Sequence, residues 1–468
     1  MRHPSSSLSG QPDRLAWSPL QSGLQLARPE ILSPGIIRGV AILLSTLGLG
    51  LMLISLKPFV SASMISEVVR DEGSALNQFG FLAAGMVFTV AMLCLTSRKV
   101  LASLLTPGFL LLAVVLAYNI ATSPAPAPVF RAVVLTVIGM LIAFSAIVLP
   151  RGEKDFRIAL TVATLATLAL SYGGLIAFPN LATHGYDVYE PQHSGLWRGH
   201  FSHKNIAGPV MCVIAIFGIY LIRSRHRAVG WIIFAAGAVF VMQTGSKTTS
   251  GLFPVAVLIV LSASIFGRTA AAILFNLMAL AAACLFTLGS LSHPEISDLV
   301  LDLLGDQTYT GRTTLWEFSL SKIPEKPWLG FGLYNFWSSG NVLGLDKPFE
   351  AAWDYRYIIH GHNNYLDMVL NLGVVGGGVL VWVLFVAPMV NYARARRNPG
   401  NRKLADMFFM IIVFMGLLSF LETFFLARND PIWLMHVFAV FGLHLLARFD
   451  INAGTLDAGG PPGRALAA

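Results

Sequence analysis

The chain has 468 residues, of which 55% are hydrophobic and only 12% are charged. A soluble domain carries about 25% charged residues, so the composition argues against a soluble enzyme, a nucleic-acid-binding protein and a disordered scaffold. It predicts an integral membrane protein instead. The formal net charge of +8 then needs an explanation other than binding to nucleic acid.

The chain divides into apolar runs and polar connections. A polar stretch over 1–35, rich in Ser and Pro, is predicted to be a disordered cytoplasmic tail, and 449–468 a second cytoplasmic tail. Because a bilayer core requires roughly 20 apolar residues, we predict an all-α membrane protein with about twelve transmembrane helices. The predicted spans are 36–56, 76–96, 100–120, 129–149, 156–178, 206–222, 228–243, 250–266, 270–290, 366–390, 404–426 and 431–448.

Basic residues indicate the orientation of these spans. If the N-terminus is cytoplasmic, the inner connections hold fourteen Lys and Arg residues, whereas the short outer connections hold only Lys247 and Arg428. Cytoplasmic loops carry an excess of basic residues, so both tails are predicted to lie inside. The longest connection, 291–365, then lies outside between helices 1–9 (36–290) and helices 10–12 (366–448). We predict a folded periplasmic loop domain there.

Polar clusters precede the even-numbered helices, at the ends predicted to face out. These are His200, His203 and Lys204 with Asn205 as a predicted N-cap, residues 245–250 with Lys247, residues 360–364, and residues 428–430 with Arg428. Helix N-termini that carry cations bind anions readily, so a lipid phosphate or diphosphate is the indicated ligand. Ordinary capping and snorkelling side chains remain the alternative.

Three further features concern chemistry. Thr314 and Glu317 have the spacing of a capping box, which predicts a helix over 314–323 with Arg312 just before it. The guanidinium fork of Arg312 suits a phosphate. The alternative is a salt bridge to Glu317 or Asp306.

His360 and His362 are two residues apart, and no acidic residue with metal-ligand spacing accompanies them, so we predict a general base at this position and no metal. Glu422 falls inside the eleventh predicted span, where an ionisable side chain is a functional candidate with Arg428 as its predicted partner. Gly373 and Gly377 have the spacing that permits close helix contact.

Five short motifs together resemble the O-antigen ligase and Wzy-type polysaccharide polymerase superfamily. His362 and Asn363 are followed by nine residues and then by Gly373 and Gly376. Residues 245–248 (GSKT), 311–316 (GRTTLW) and 327–332 (PWLGFG) resemble other family segments, and residues 198–205 (RGHFSHKN) resemble its exopolysaccharide polymerase branch.

The resemblance implies a GT-C-like membrane glycosyltransferase acting at the periplasmic face of the bacterial inner membrane, without a metal or cofactor. Its donor would be a glycan on undecaprenyl diphosphate, its acceptor another glycan or lipid A–core, with polysaccharide export or chain-length proteins as partners. His362 and Arg312 match the catalytic positions. The candidate residues for binding the diphosphate and glycan are Arg198, His203, Lys204, Lys247, Asn363, Glu422 and Arg428, of which Glu422 and Arg428 rest on the residue patterns alone and not on the resemblance. Lys247 stands where the family more often has Arg. Lysine cannot make the bidentate phosphate contact of arginine, but it keeps the positive charge.

Within the family, residues 195–205 favour a polymerase over an O-antigen ligase. Two other classes stay open. Twelve-helix transporters usually have repeated halves and a midplane site, whereas this chain has one large outer connection and few ionisable residues at mid-membrane. A non-catalytic assembly partner is the third possibility.

Overall fold

A computed structural model describes residues 33–54, 58–60, 75–186, 191–337, 339–346 and 354–451. In these ranges the regular structure is helical, apart from one isolated bridge between Thr183 and Trp197. The predicted tails lie almost entirely outside the described residues.

Nine long helices precede the large connection. They are α1 (Pro34–Leu53), α2 (Ala75–Leu95), α3 (Pro107–Thr122), α4 (Pro126–Val148), α5 (Glu153–Ala177), α6 (Lys204–Arg223), α7 (Arg227–Gln243), α8 (Lys247–Ile265) and α9 (Thr269–Thr287).

The connection contains α10 (Pro294–Leu304) and α11 (Arg312–Lys322), together with short helical turns. Three helices follow: α12 (Asn364–Val381), which continues through a π-helical turn into Ala387–Ala395, then α13 (Arg402–Leu418) and α14 (Pro431–Leu446).

Eight of these helices are long and apolar enough to cross a membrane, by length and composition: α1, α2, α4, α5, α6, α8, α9 and extended α12. Each of the other four predicted spans overlaps a helix of 16 or 17 residues, namely α3, α7, α13 and α14, but α3 begins seven residues after the predicted start at 100 and α13 ends eight residues before the predicted end at 426. The chain is therefore a multi-pass membrane protein whose described residues are helical, with eight helices of spanning length among them where we expected about twelve.

Local sequence signals explain where several helices begin. Ser33 and Thr106 accept hydrogen bonds from the first turns of α1 and α3, each of which has Pro at its first position. Asp430 caps α14 in the same way, with Pro431 behind it. Pro is favoured there because its missing N–H would be unpaired anyway.

Helices α6, α13 and α14 form the centre of the bundle. Every residue of α14 is buried, as is every residue of α13 from Leu404 to Leu418. In contrast, α9 buries only Ala272, Asn276 and Thr287. A helix that is apolar all round and buried belongs to an interior, whereas the outer helices turn apolar side chains such as Leu274 and Met278 outward, as expected for a lipid-facing surface.

The loop domain has its own apolar core, which includes Trp316, Phe336 and Trp337 and is completed by Leu366 and Leu370 of α12. The expected helix over 314–323 is α11, but it begins two residues earlier and no capping box forms. Its N-cap is Gly311 in a left-handed conformation, and Arg312 is its first residue.

Helix α12 is broken at Gly373, which has φ +65° and ψ −176°. Residues 327–332 of the loop domain lie against the break. Phe331 N donates to Leu370 O at 2.9 Å, and Val374 N donates to Pro327 O at 2.9 Å. A Cβ on Gly373 would lie 2.2 Å from the Trp328 backbone. The expected close contact is therefore between this glycine and a loop, not between two helices.

Candidate active site

Glu422 lies at the centre of the site. Its Oε1 accepts a hydrogen bond from Arg312 Nη2 at 2.7 Å and another from Asn205 Nδ2 at 3.2 Å. Its Oε2 is 3.1 Å from His362 Nδ1. The side chains of Arg312, His362 and Glu422 are 11%, 16% and 15% exposed, so the group is largely shielded but still reachable from solvent. One carboxylate thus joins three separate parts of the chain.

Two expectations about Glu422 are corrected. It does not lie inside a membrane helix, because α13 ends at Leu418 and the chain turns back over 419–422. Its partner is not Arg428, six residues further on, but Arg312. Arg312 in turn pairs with neither Glu317 nor Asp306, the two carboxylates that sequence proximity suggested.

The first turn of α12 holds the segment that carries Glu422. Asn363 caps this turn through its Oδ1 and donates from Nδ2 to Phe420 O at 3.1 Å. Asn364 accepts hydrogen bonds from Phe424 N and Phe425 N, both at 2.9 Å. Asn363 is fully buried, so its amide fixes the backbone around Glu422.

Asp367, one turn further along α12, connects the site to the loop domain. Its Oδ2 accepts from Gly361 N at 2.8 Å and from Thr423 Oγ1 at 2.6 Å, and its Oδ1 accepts from Trp337 Nε1 at 2.8 Å. Gly361, next to His362, and Thr423, next to Glu422, are therefore both bound to the Asp367 carboxylate.

His362 occupies a strained position between these anchors. Its φ of 51° is in the left-handed region, which a non-glycine residue adopts at a cost of about 1–3 kcal/mol. The ring of His360 lies against it, with centroids 4.3 Å apart. Burial is the main cause that lowers the pKa of His360 to about 3, so this neighbour stays neutral at physiological pH.

The N-terminus of α6 contributes Asn205. This residue is not the N-cap that we expected, because His203 takes that position and its Nδ1 accepts from Asn205 N at 3.1 Å. The Asn205 side chain is thereby available for Glu422. Burial lowers the pKa of His203 to about 4, against the opposing effect of Glu422.

Glu422 remains ionised in this setting. Burial alone would raise its pKa, but the charge of Arg312 and the hydrogen bond with His362 lower it to about 2. An ionised carboxylate only accepts hydrogen bonds, so the proton of the His362–Glu422 hydrogen bond is on His362 Nδ1.

Two of the expected cations form no ion pair with Glu422 in the described part of the chain. Lys247 is the exposed first residue of α8. Burial acts to raise the pKa of Asp306, but hydrogen bonds from Thr308 and Thr310 lower it, and the charge of Lys247 adds to that lowering. Arg428 is exposed as well.

Arg198 and Lys204 are buried before and at the start of α6. The Arg198 guanidinium donates to three backbone carbonyls, those of Thr183 at 3.1 Å, Ser202 at 3.0 Å and Val60 at 2.7 Å. Lys204 N donates to His184 Nε2 at 3.0 Å. Arg198 therefore organises the loops around α6 in this structure.

Within the described part of the chain, no group of three or more His, Cys, Asp or Glu side chains is placed to hold a metal ion. The site geometry consists of one carboxylate, one oriented imidazole and one guanidinium.

Comparisons with known proteins found a matching family and similar relatives. Residues 210–381 match the family model described as O-antigen ligase. The chain is 26% identical over 238 residues to the exopolysaccharide production protein ExoQ of Rhizobium meliloti (strain 1021), across 44% of this chain and 48% of that protein. It is 32% identical over 123 residues to a Rickettsia conorii protein provisionally named a polysaccharide ligase, across 24% of this chain and 28% of the relative.

Residues 210–381 of this chain are therefore similar to the O-antigen ligase family. The chain spans about half the length of ExoQ and less than a third of the Rickettsia relative. The matched domain at 210–381 includes Lys247, Arg312 and His362, whereas Asn205 and Glu422 lie on either side of it. The site therefore combines residues of that domain with two from outside it.

Sequence reasoning missed Asp367 and the contacts made by Asn364 and Asn205. Asp367 and Asn364 follow the His362–Asn363 pair on α12, and a carboxylate in the first turn of an apolar helix was the available signal. The position of Asn205 at the start of an apolar run predicted helix capping and not a contact with Glu422. No local pattern indicates a contact with a residue more than 200 positions away.

Proposed function

We propose that this chain is a membrane glycosyltransferase of bacterial surface-polysaccharide biosynthesis. It would transfer a glycan from undecaprenyl diphosphate to the hydroxyl group of an acceptor sugar. The observation that carries the proposal is the single carboxylate, Glu422, that holds both His362 and Arg312 at one end of a membrane helix bundle. The superfamily match over 210–381 supports it.

His362 is the proposed general base. With the proton on Nδ1 and directed to Glu422, Nε2 is the nitrogen that can accept a proton. Nε2 takes the proton of the acceptor hydroxyl as that oxygen forms a bond to the anomeric carbon. The bond from the anomeric carbon to the diphosphate oxygen breaks, and the diphosphate leaves with the electron pair. The ionised Glu422 stabilises the imidazolium that results.

Arg312 is the proposed partner of the leaving diphosphate. Its Nη2 is bound to Glu422, while its buried Nε has no hydrogen-bond partner among the described residues. Because a buried, unpaired donor is costly, this N–H suits a phosphate oxygen. Lys247, exposed and near Asp306 of the loop domain, would add a second positive charge. Neither a metal nor a nucleotide takes part in the proposed step.

The proposed topology has twelve spans, with both tails in the cytoplasm and a GT-C-like arrangement. The loop domain and the Glu422 cluster then face the periplasm, and the chain resides in the inner membrane. The excess of basic residues in alternate connections supports this orientation.

A polymerase is the favoured reaction, because residues 195–205 resemble the exopolysaccharide polymerase branch of the family, and the chain is similar to an exopolysaccharide production protein over 44% of its length. The proposed acceptor is then a growing glycan, and export or chain-length proteins are its partners. An O-antigen ligase, with lipid A–core as acceptor, is the second candidate, supported by the description of the family model. Glycan length in a deletion strain separates them. Single-unit products indicate a polymerase, and long undecaprenyl-linked chains missing from lipid A–core indicate a ligase.

His362→Ala and Arg312→Ala should each abolish glycan extension in the complemented deletion strain. The first variant lacks the base, and the second lacks the charge that stabilises the leaving group. Glycan length on gels, with protein abundance on immunoblots, is the measurement. His293→Ala and Lys322→Ala are matched controls, since His293 is exposed in the loop domain and Lys322 pairs at the surface of α11 with Glu325. Full extension with His362→Ala at normal abundance would refute the base assignment.

A further inference from the structure

A groove of about 580 Å³ opens on the side of the bundle between the last turn of α6, the start of α7 and the middle of α8. Its walls are apolar except for Arg223 and include Phe234, Phe253 and Pro254. Trp231 and Leu258 line the groove and are 56% and 64% exposed, so the groove faces outward.

Glycines fix the shape of this groove on one side. A Cβ on Gly218 of α6 would lie 2.6 Å from Phe234 N, and one on Gly230 of α7 would lie 2.7 Å from Ile222 N. The two helices therefore touch backbone to backbone. Their larger side chains, including Ile222 and Trp231, are displaced to the edges of the contact, where they form part of the groove wall.

The end of the groove carries a cluster of positive charge. Arg223 lines it, exposed Arg225 follows in the connection to α7, and exposed Arg227 is the first residue of α7. Arg227 precedes Trp231 by one helical turn, so both side chains lie on the same face of α7.

The nearby acidic residue does not neutralise this cluster. Asp406 accepts from Arg223 Nη2 at 2.7 Å and lies 3.4 Å from Arg396 Nη1, so one fully buried carboxylate serves two guanidinium groups. Arg225 and Arg227 add two further charges. The rim of the groove is therefore cationic.

The groove is separate from the candidate active site. Asn205, which contacts Glu422, is at the N-terminal end of α6, and Arg223 is the last residue of the same helix. A helix of 20 residues is about 30 Å long. The groove thus lies near the opposite end of the bundle.

We propose that this groove is a binding site for an anionic phospholipid of the membrane leaflet on that side. The phosphate lies at Arg225 and Arg227, and an acyl chain lies along the groove beside Trp231 and Leu258. Apolar walls suit a hydrocarbon chain, and guanidinium groups at the headgroup level suit phosphate. Trp at that boundary is typical of membrane interfaces. The inference depends on the bundle spanning a bilayer and not on the proposed glycosyl transfer.

Thermal unfolding of the purified, delipidated full-length chain tests the proposal. The protein is titrated in detergent with phosphatidylglycerol and with phosphatidylcholine of identical acyl chains. We expect phosphatidylglycerol to raise Tm at concentrations on the order of tenfold lower than phosphatidylcholine. Equal effects of the two lipids would overturn the proposal, as would a rise in Tm produced by undecaprenyl phosphate and not by phosphatidylglycerol.

Two variant pairs locate the site. Arg225→Gln with Arg227→Gln should remove the preference for phosphatidylglycerol. Arg98→Gln with Lys99→Gln, which removes the same number of exposed charges from the connection between α2 and α3, should preserve it. Val257→Phe should weaken binding by filling the groove without changing charge. If both charge pairs reduce the preference equally, the attraction is not specific to this groove and the proposal fails.

Discussion

Glu422 is a candidate positioning residue for both functional side chains of the site. Its Oε2 orients His362, and its Oε1 accepts hydrogen bonds from Arg312 and Asn205. A carboxylate whose pKa is about 2 carries a full negative charge at physiological pH, which would repel a diphosphate. A role in orienting the base and the cation is therefore more consistent with its contacts than direct binding of the donor.

Glu422→Gln should lower kcat by on the order of 10²-fold or more with a smaller change in KM, because the imidazolium loses its counter-charge. The loss should persist across pH 5–8, since a carboxylate with a pKa near 2 does not titrate in that range. Initial rates with purified protein and a lipid-linked donor measure both quantities.

The control for this variant is Glu317→Gln, which removes an exposed carboxylate from α11. It should leave kcat and KM unchanged. A Glu422→Gln enzyme with wild-type kcat would contradict the positioning role.

At this scale, sequence reasoning proposed His362, Arg312 and Glu422 as individual candidates but did not predict how they pair. Arg428 was the expected partner of Glu422 because it is six residues away, whereas the observed partner is 110 positions away in another segment. Local spacing predicts caps and helix faces. It carries no information about which distant loop folds back over a helix end.

The element that positions the site is α12, whose break at Gly373 receives residues 327–332. The segment and the helix exchange backbone hydrogen bonds that an unbroken helix would keep to itself. Non-helical backbone at membrane depth requires such partners. The loop domain is thereby attached to the helix whose first turn holds His362 and Glu422 in place.

Gly373→Ala should destabilise the protein. The new methyl group would meet the Trp328 backbone at 2.2 Å, and alanine disfavours φ of +65°. Each of these effects typically costs about 1–3 kcal/mol, so we expect a lower Tm and less folded protein in membranes.

Gly377→Ala provides the matched control, since its nearest neighbouring atom, Val369 Cγ2, is 3.5 Å away. It should be tolerated, with Tm close to that of the wild type. Equal Tm values for the two variants would show that the break at Gly373 does not have the close loop contact described here.

Helix positions could be predicted well at this scale, because apolar runs and proline-led starts are local signals. The predicted tenth span, 366–390, falls within extended α12. The break could not be predicted, since glycine spacing within that span also fits ordinary helix packing. Only the contact of residues 327–332 with Gly373 distinguishes a broken helix from an intact helix that packs through its glycines.

For the whole molecule, the surplus of positive charge has a structural explanation. Many of the basic residues lie in the connections that are predicted to be cytoplasmic, and two helix residues pair with buried acids. Arg38 binds Asp155 at 2.6 Å and Arg223 binds Asp406 at 2.7 Å. The distribution of Lys and Arg was visible in the sequence, but their acidic partners were not, because each pair joins helices distant in the chain.

The most direct test of the central claim is glycosyl transfer by the purified chain in liposomes. A radiolabelled glycan on undecaprenyl diphosphate and an unlabelled acceptor are supplied without any divalent metal, in the presence of a chelator. We predict that the wild type releases undecaprenyl diphosphate and extends the acceptor, while His362→Ala and Arg312→Ala do neither at equal abundance. Transfer by His362→Ala at the wild-type rate would contradict the account.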